Sequence, residues 1–189
     1  MEEEKKAEII KPQSNLKRSL WEFFKFTIIA VLIVVPIRLW VAQPFIVSGQ
    51  SMEPNFENGQ YLIIDEFSYH FREPQRGEVV VFRYPNDPSK FFIKRIIGLP
   101  GEKIEIRGND LYIFNEQFPG GVLLEEGYLE NSVYTGNLIS TLDSNEYFVL
   151  GDNRPQSSDS RIWGSLKENL IIGRAWIRLW PFNKFFINF

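Results

Sequence analysis

The sequence predicts a mostly β chain: one N-terminal transmembrane helix, then an antiparallel β-sheet domain with a loop-rich inserted segment. Three observations predict it. A single apolar run, FFKFTIIAVLIVVPIRLWV, fills residues 23–41. Beyond it come short β-branched and aromatic runs cut by Gly, Pro, Asn and Asp, as hairpin-connected strands require. The length, 189 residues, suffices for one domain with a sizeable core and some extra segments.

Residues 1–19 are polar, with an acidic run at Glu2, Glu3 and Glu4 and a proline at Pro12, and read as a tail leading into a helix near Ser14. The apolar run would measure roughly 28 Å as a helix, enough to span a bilayer core. Lys25 and Arg38 lie near its ends, where long stems snorkel, and Trp21 and Trp40 fall where interfacial aromatics belong. A buried core helix is the plain alternative. A cleaved signal peptide is excluded by chemistry, because cutting after Ala42 would put Trp40 at a position that needs a small residue. The expected anchor is therefore retained and covers 20–42. Lys5, Lys6, Lys11, Lys17, Arg18 and Lys25 precede or open it, whereas the next Lys or Arg after Arg38 is Arg72. Positive-inside bias then gives a single-pass protein of the cytoplasmic membrane, residues 1–19 a cytoplasmic tail and the rest on the outer face.

Strands are expected at 61–64, 78–82, 91–97, 103–106, 111–114, 147–150 and 175–179. Residues 43–101 and 146–189 form one β domain, interrupted by an insertion over 102–145 whose later part has little periodicity. Ser165 and Glu168 fit a capping box opening one short helix.

Composition restricts the chemistry. Cys is absent and His70 is the one histidine, which excludes a thiol nucleophile, a disulfide frame, a Cys-based zinc site and a His-rich metal site. A net charge of −3, with both signs spread along the chain, argues against nucleic acid as a partner. Hydrolytic chemistry would have to come from hydroxyls, carboxylates or amines.

Three segments offer such groups. In 47–54, Ser51 lies between a Gly-containing turn and a Met-x-Pro corner, where backbone N–H groups can face a developing oxyanion. In 91–101, Lys94 shares a strand face with Phe92 and Ile96. Apolar packing can lower a lysine pKa by several units and make a base of it. In 151–164, Asp, Asn, Arg and Ser crowd behind a hydrophobic strand and could orient that lysine. Taken singly, each segment also fits a plain reading: a turn serine, a snorkelling lysine, a solvated loop.

In this order behind one anchor, the three segments closely resemble bacterial type I signal peptidases. Ser51-Met52-Glu53-Pro54 matches the family's Ser-Met-x-Pro box, and Lys94, Arg95, Gly98, Pro100 and Gly101 match its Lys-Arg-x-x-Gly-x-Pro-Gly box. Residues 151–164 match its Gly-Asp-Asn-Arg…Ser-x-Asp-Ser-Arg-x-Trp-Gly box. The resemblance implies a catalytic β domain, with Ser51 as nucleophile and neutral Lys94 as general base. It implies that Ser157 hydrogen-bonds the Lys94 amine, and that Asp159, Arg161 and Arg95 form an ion-pair scaffold behind it. Phe45, Val47, Met52 and Ile93 would line shallow substrate pockets for alanine methyls. Preprotein signal peptides, cut after Ala-x-Ala, and the lipid bilayer are the implied partners; no cofactor is implied. Two positions depart from the family pattern. Gly49 stands where some members carry a second serine that donates to the oxyanion, which leaves backbone N–H groups, chiefly that of Ser51. Asn55 stands where a Thr is usual. Rival readings are a self-cleaving repressor-type protease, which would need a DNA-binding domain in place of the span, and a membrane-anchored β-sheet binding module without enzymatic activity. A signal peptidase branch that uses His in place of Lys is disfavoured by Lys94 in the family's position.

Overall fold

The computed structural model describes residues 16–40, 42–129, 134, 136–184 and 186–187. The chain divides into two compact units, Met1–Leu39 and Trp40–Phe189. In the first, α1 (Leu16–Trp40) is one continuous helix. Its described side chains are largely apolar and exposed, with Phe23, Phe26 and Leu32 each well over half accessible. Arg18, Glu22 and Lys25 interrupt the apolar sequence, so the uncharged stretch covers only residues 26–37. Among the described residues no helix is long and apolar enough to cross a membrane. The expected helix is thus present, but the structure does not establish a span. Its end also differs from the expected boundary, because Ala42 already opens a strand.

The second unit is built on antiparallel sheets. The larger has eight strands. In chain order they are β1 (Ala42–Ile46), β2 (Tyr61–Asp65), β3 (Val79–Tyr84) and β4 (Asp87–Gly98). A smaller four-stranded sheet follows, with β5 (Lys103–Arg107), β6 (Asp110–Phe114), β7 (Val122–Leu123) and β8 (Asn137–Thr141). The chain then returns to the larger sheet through β9 (Glu146–Leu150), the short helix α2 (Ser160–Trp163), β10 (Leu166–Lys167), β11 (Ile171–Trp180) and β12 (Phe186–Ile187). Spatial order in the larger sheet is β1-β2-β11-β3-β4-β9-β10, with β12 also on β11; in the smaller it is β7-β6-β5-β8.

Period-2 alternation explains why the apolar runs become strands that divide the core by parity. In β3, Val79 and Val81 enter a core with Val47, Met52, Phe56, Leu62 and Ile64, while Val80 and Phe82 enter another with Ile96, Tyr147 and Val149. In β9, Phe148 and Leu150 face a third core shared with Ile104, Ile106, Leu111 and Ile113 of the small sheet. The insertion is therefore packed on the larger sheet. Its later part, expected as loop, supplies β7 and β8 to the small sheet.

Gly173 marks a close approach. A Cβ there would come 2.5 Å from the Asp65 carbonyl oxygen, at the point where β11 shifts register against β3. The expected capping-box helix at Ser165 does not form. Leu166 is fully buried and pairs with Tyr147, and Glu168 N donates to Asn145 O at 2.9 Å. Sheet pairing takes those residues, leaving a 3-10 turn at Glu168–Leu170. The helix lies just before, at α2, where the Asp159 side chain accepts from Arg161 N.

Candidate active site

Ser51 sits on the turn that joins β1 to β2. The stem of that turn is closed by Val47 N donating to Gln60 O (2.9 Å) and Gly59 N donating to Val47 O (2.8 Å). Inside it, Gly49 N donates to Asn58 Oδ1 at 2.9 Å, and Phe56 N donates to Met52 O at 2.9 Å. Met52 and Phe56 are driven into the core on either side of the Pro54 corner, at 1% and 0% exposure. The serine backbone is thereby pinned while its side chain stays accessible. Among the described residues, no backbone acceptor takes the Ser51 N–H.

Lys94 comes from β4, between β3 and β9. Its Nζ lies 2.7 Å from Ser51 Oγ and donates to Ile93 O at 2.9 Å. The residue is 3% exposed, and its amine stands 5.4 Å from the centre of the Phe92 ring. Burial pushes the Lys94 pKa down to about 8, against the pull of Asp159 and Asp152, whose charges favour the ammonium form. The structure thus brings together a hydroxyl and an amine that is uncharged in a useful fraction near neutral pH.

Two separate ion pairs stand behind them. Arg161 grips Asp159 with Nε and Nη2, each at 2.8 Å, and Gly151 N donates to Asp159 Oδ2 at 3.1 Å. Arg95 does not join this pair. It donates to Asp152 through Nε (2.9 Å) and Nη2 (2.6 Å), and through Nη1 to Gly77 O at 2.8 Å. The β4–β9 register, Arg95 opposite Leu150, explains the choice, since Asp152 lies just past that strand end. Asn55 Nδ2 donates to the same carboxylate at 2.9 Å and to Tyr128 O at 3.0 Å.

Ser157 is buried close by, yet its Oγ has no hydrogen-bond partner among the described residues. The expected bond to the Lys94 amine is not made: Lys94 Nζ reaches Ser51 Oγ and Ile93 O instead. Ser157 packs against Gly151, where a Cβ would come 2.2 Å from Ser157 Oγ and 2.4 Å from the Ser51 carbonyl oxygen. Only glycine permits that approach. Asn153 N completes the contact by donating to Ser51 O at 3.0 Å.

A cleft of about 480 Å³ opens over the pair. Phe45, Val47 and Ile93 line it as expected residues, joined by Leu62 and Val81, with Gln50, Gln156 and Ser158 at its polar positions. Met52 does not line it. That side chain lies in the core below, with its Sδ 3.4 Å from Asp152 N. Among the described residues no cluster of three or more His, Asp and Glu is arranged to hold a metal ion. Sequence reasoning missed Asp152, Asn55 and Gly151 as parts of the site. The first and last stand inside the third motif, and Asn55 directly follows the first.

The family model described as signal peptidase, peptidase S26, matches residues 20–180. A probable signal peptidase I-2 of Synechocystis sp. is 36% identical over 178 residues, covering 90% of this chain and 78% of that protein. The signal peptidase I of Leptolyngbya laminosa is 36% identical, covering 91% and 85%, and that of Bacillus caldolyticus is 33% identical, covering 94% and 98%. A crystal structure of a signal peptidase I from Enterococcus faecalis V583 shares 37% identity, with a TM-score of 0.46, and covers 55% of this chain and 97% of that one.

Proposed function

This chain belongs to the signal peptidase family, peptidase S26, and we propose that it is an endopeptidase that removes signal peptides from preproteins with a Ser51–Lys94 dyad. The observation that carries the reading is the 2.7 Å contact between Ser51 Oγ and an amine that burial keeps partly uncharged. Ser51 Oγ attacks the scissile carbonyl carbon as its proton passes to Lys94 Nζ. The oxyanion that forms is met by the Ser51 N–H. Collapse breaks the C–N bond, and Lys94 returns its proton to the leaving amine. A water then adds to the acyl-enzyme, giving its proton to Lys94, and Ser51 is released with its hydrogen restored.

An extended substrate would lie along the cleft, alternate side chains meeting the apolar wall of Phe45, Val47 and Ile93. Small residues at −1 and −3 of the cut follow from so shallow a surface, because an oversized side chain cannot enter. We place the exposed apolar side chains of α1 in lipid, with α1 as the membrane anchor. Alkaline extraction of membranes tests this: a full-length chain released into the supernatant would refute an anchored helix.

The dyad is tested with a preprotein in detergent. Ser51→Ala and Lys94→Ala should each abolish cleavage without unfolding the domain. Lys94→Arg should fail as well, because a guanidinium stays protonated at any useful pH. Activity in Lys94→Arg within tenfold of wild type would remove the base from the mechanism.

A further inference from the structure

Glu126 lies between β7 and β8, where the sequence promised only loop. Its side chain is 3% exposed and that of its partner Arg154 is 1% exposed. The carboxylate receives four donors. Arg154 supplies Nη1, at 2.9 Å from Oε2, and Nη2. Tyr128 Oη donates at 2.6 Å, and Tyr134 Oη also donates. The buried Tyr134 ring in addition lies 4.7 Å from the centre of the Arg154 guanidinium. Four donors saturate a carboxylate, and a bidentate pair this deep holds its arginine in one orientation.

That orientation reaches the reacting groups in a few contacts. Arg154 Nε donates to Gly151 O at 3.0 Å, and Arg154 O accepts from Arg161 Nη2 at 2.6 Å. Arg161 holds Asp159, which accepts from Gly151 N. Gly151 is the residue packed onto the Ser51 carbonyl, and Asn153 N donates to it at 3.0 Å. The neighbouring Tyr128 touches the other ion pair, its ring 4.1 Å from the Arg95 guanidinium and its carbonyl on Asn55.

We propose that Glu126 is a positioning residue for the dyad: a latch on the inserted segment that fixes Arg154, and through it the Gly151–Asn153 backbone, against the Ser51 turn. The inference rests on the Ser51–Lys94 reading. It makes the insertion part of the catalytic apparatus through contacts that never touch substrate.

The test uses the full chain in detergent and a peptide with alanine at −3 and −1. Glu126→Gln should lower kcat about 100-fold with KM unchanged, the loss expected when reacting groups are displaced by about 1 Å. Its pH–rate limb should also move to higher pH, because a loosened loop admits water to Lys94 and relieves the burial that lowers its pKa. The charged groups facing that amine are Asp159, held by Arg161, and Asp152, held by Arg95. Should Glu126→Gln fail to fold, the double variant Glu126→Leu with Arg154→Met decides. It leaves no buried charge unpaired and should recover thermal stability, yet kcat should stay low, because nothing holds Gly151 O. Recovery of kcat together with stability would overturn the latch. So would a folded Glu126→Gln with the wild-type kcat and pH profile, provided wild type is active. A wild type as inert as Ser51→Ala would instead overturn the proteolytic reading, and the latch with it.

Discussion

A lysine can serve as a base only where the fold disfavours its charged form, and that carries a stability cost with a definite pH signature. Burial lowers Lys94 from its ordinary 10.5 to about 8. The unfolded chain therefore binds more protons between those values, so stability rises with pH across that window. The penalty is fully present below about pH 8 and disappears above about pH 10.5; it is on the order of 3 kcal/mol. Lys94→Met should thus be inactive yet more stable than wild type at pH 7, with the advantage shrinking toward pH 10.5. Urea unfolding at the two pH values measures it, and an unchanged difference would refute the shift. At this scale, motif chemistry made Ser51 and Lys94 visible although they lie 43 residues apart. Partner choice was not visible. Arg95 takes Asp152 because of strand register, and Ser157 faces Gly151 because the chain there is packed to backbone contact; neither follows from residue type.

The elements differ in how plainly the sequence announced them. Strands β3, β4 and β9 carry long apolar runs whose parity splits between cores, and such runs are readable without a structure. Strand β1 was not read, because Pro44 interrupts it; an edge position makes that tolerable, since the missing N–H would face outward. Strand β8 was not read either, for none of its residues is fully buried and its alternation is only between half-buried and exposed. The segment after β9 is where small changes should matter most. Gly151→Ala puts a Cβ 2.4 Å from the Ser51 carbonyl oxygen, so the Ser51 turn must shift, and kcat should fall by roughly 100-fold. A Gly151→Ala enzyme with normal kcat would show that the turn yields without harm. Asp152→Asn strips the carboxylate from a guanidinium whose side chain is 8% exposed. It should cost about 3–5 kcal/mol of stability, read as a lower urea midpoint, and a midpoint equal to wild type would contradict a buried, mutually dependent pair.

For the whole molecule, the unit Trp40–Phe189 contains every residue assigned to the dyad, its ion pairs and the cleft. A fragment starting at residue 40, which keeps β1 intact, should therefore hydrolyse short peptides without α1. The same fragment carries a row of exposed apolar side chains at one end of the sheet. Ile46 pairs with Tyr61, Tyr61 pairs with Trp180, and the Phe182 ring lies 5.0 Å from that of Trp180. Apolar surface of this kind binds lipid interfaces, so the fragment should float with phospholipid vesicles. A fragment that stays free of them would refute lipid binding by this row. That Tyr61 and Trp180 share a row is not readable from the sequence, where they stand far apart, because strand order in space is not order along the chain.

Strand order also bears on when this chain becomes reactive during its own synthesis. Strand β11 lies between β2 and β3. The turn bearing Ser51 belongs to the β1–β2 side and Lys94 to the β3–β4 side, so the two hairpins acquire a shared sheet only when Ile171–Trp180 has emerged. Pairings of such long sequence separation form late. A ribosome-bound chain halted before Ile171 would hold both dyad residues and no assembled dyad, and would stay silent toward the signal peptides emerging around it.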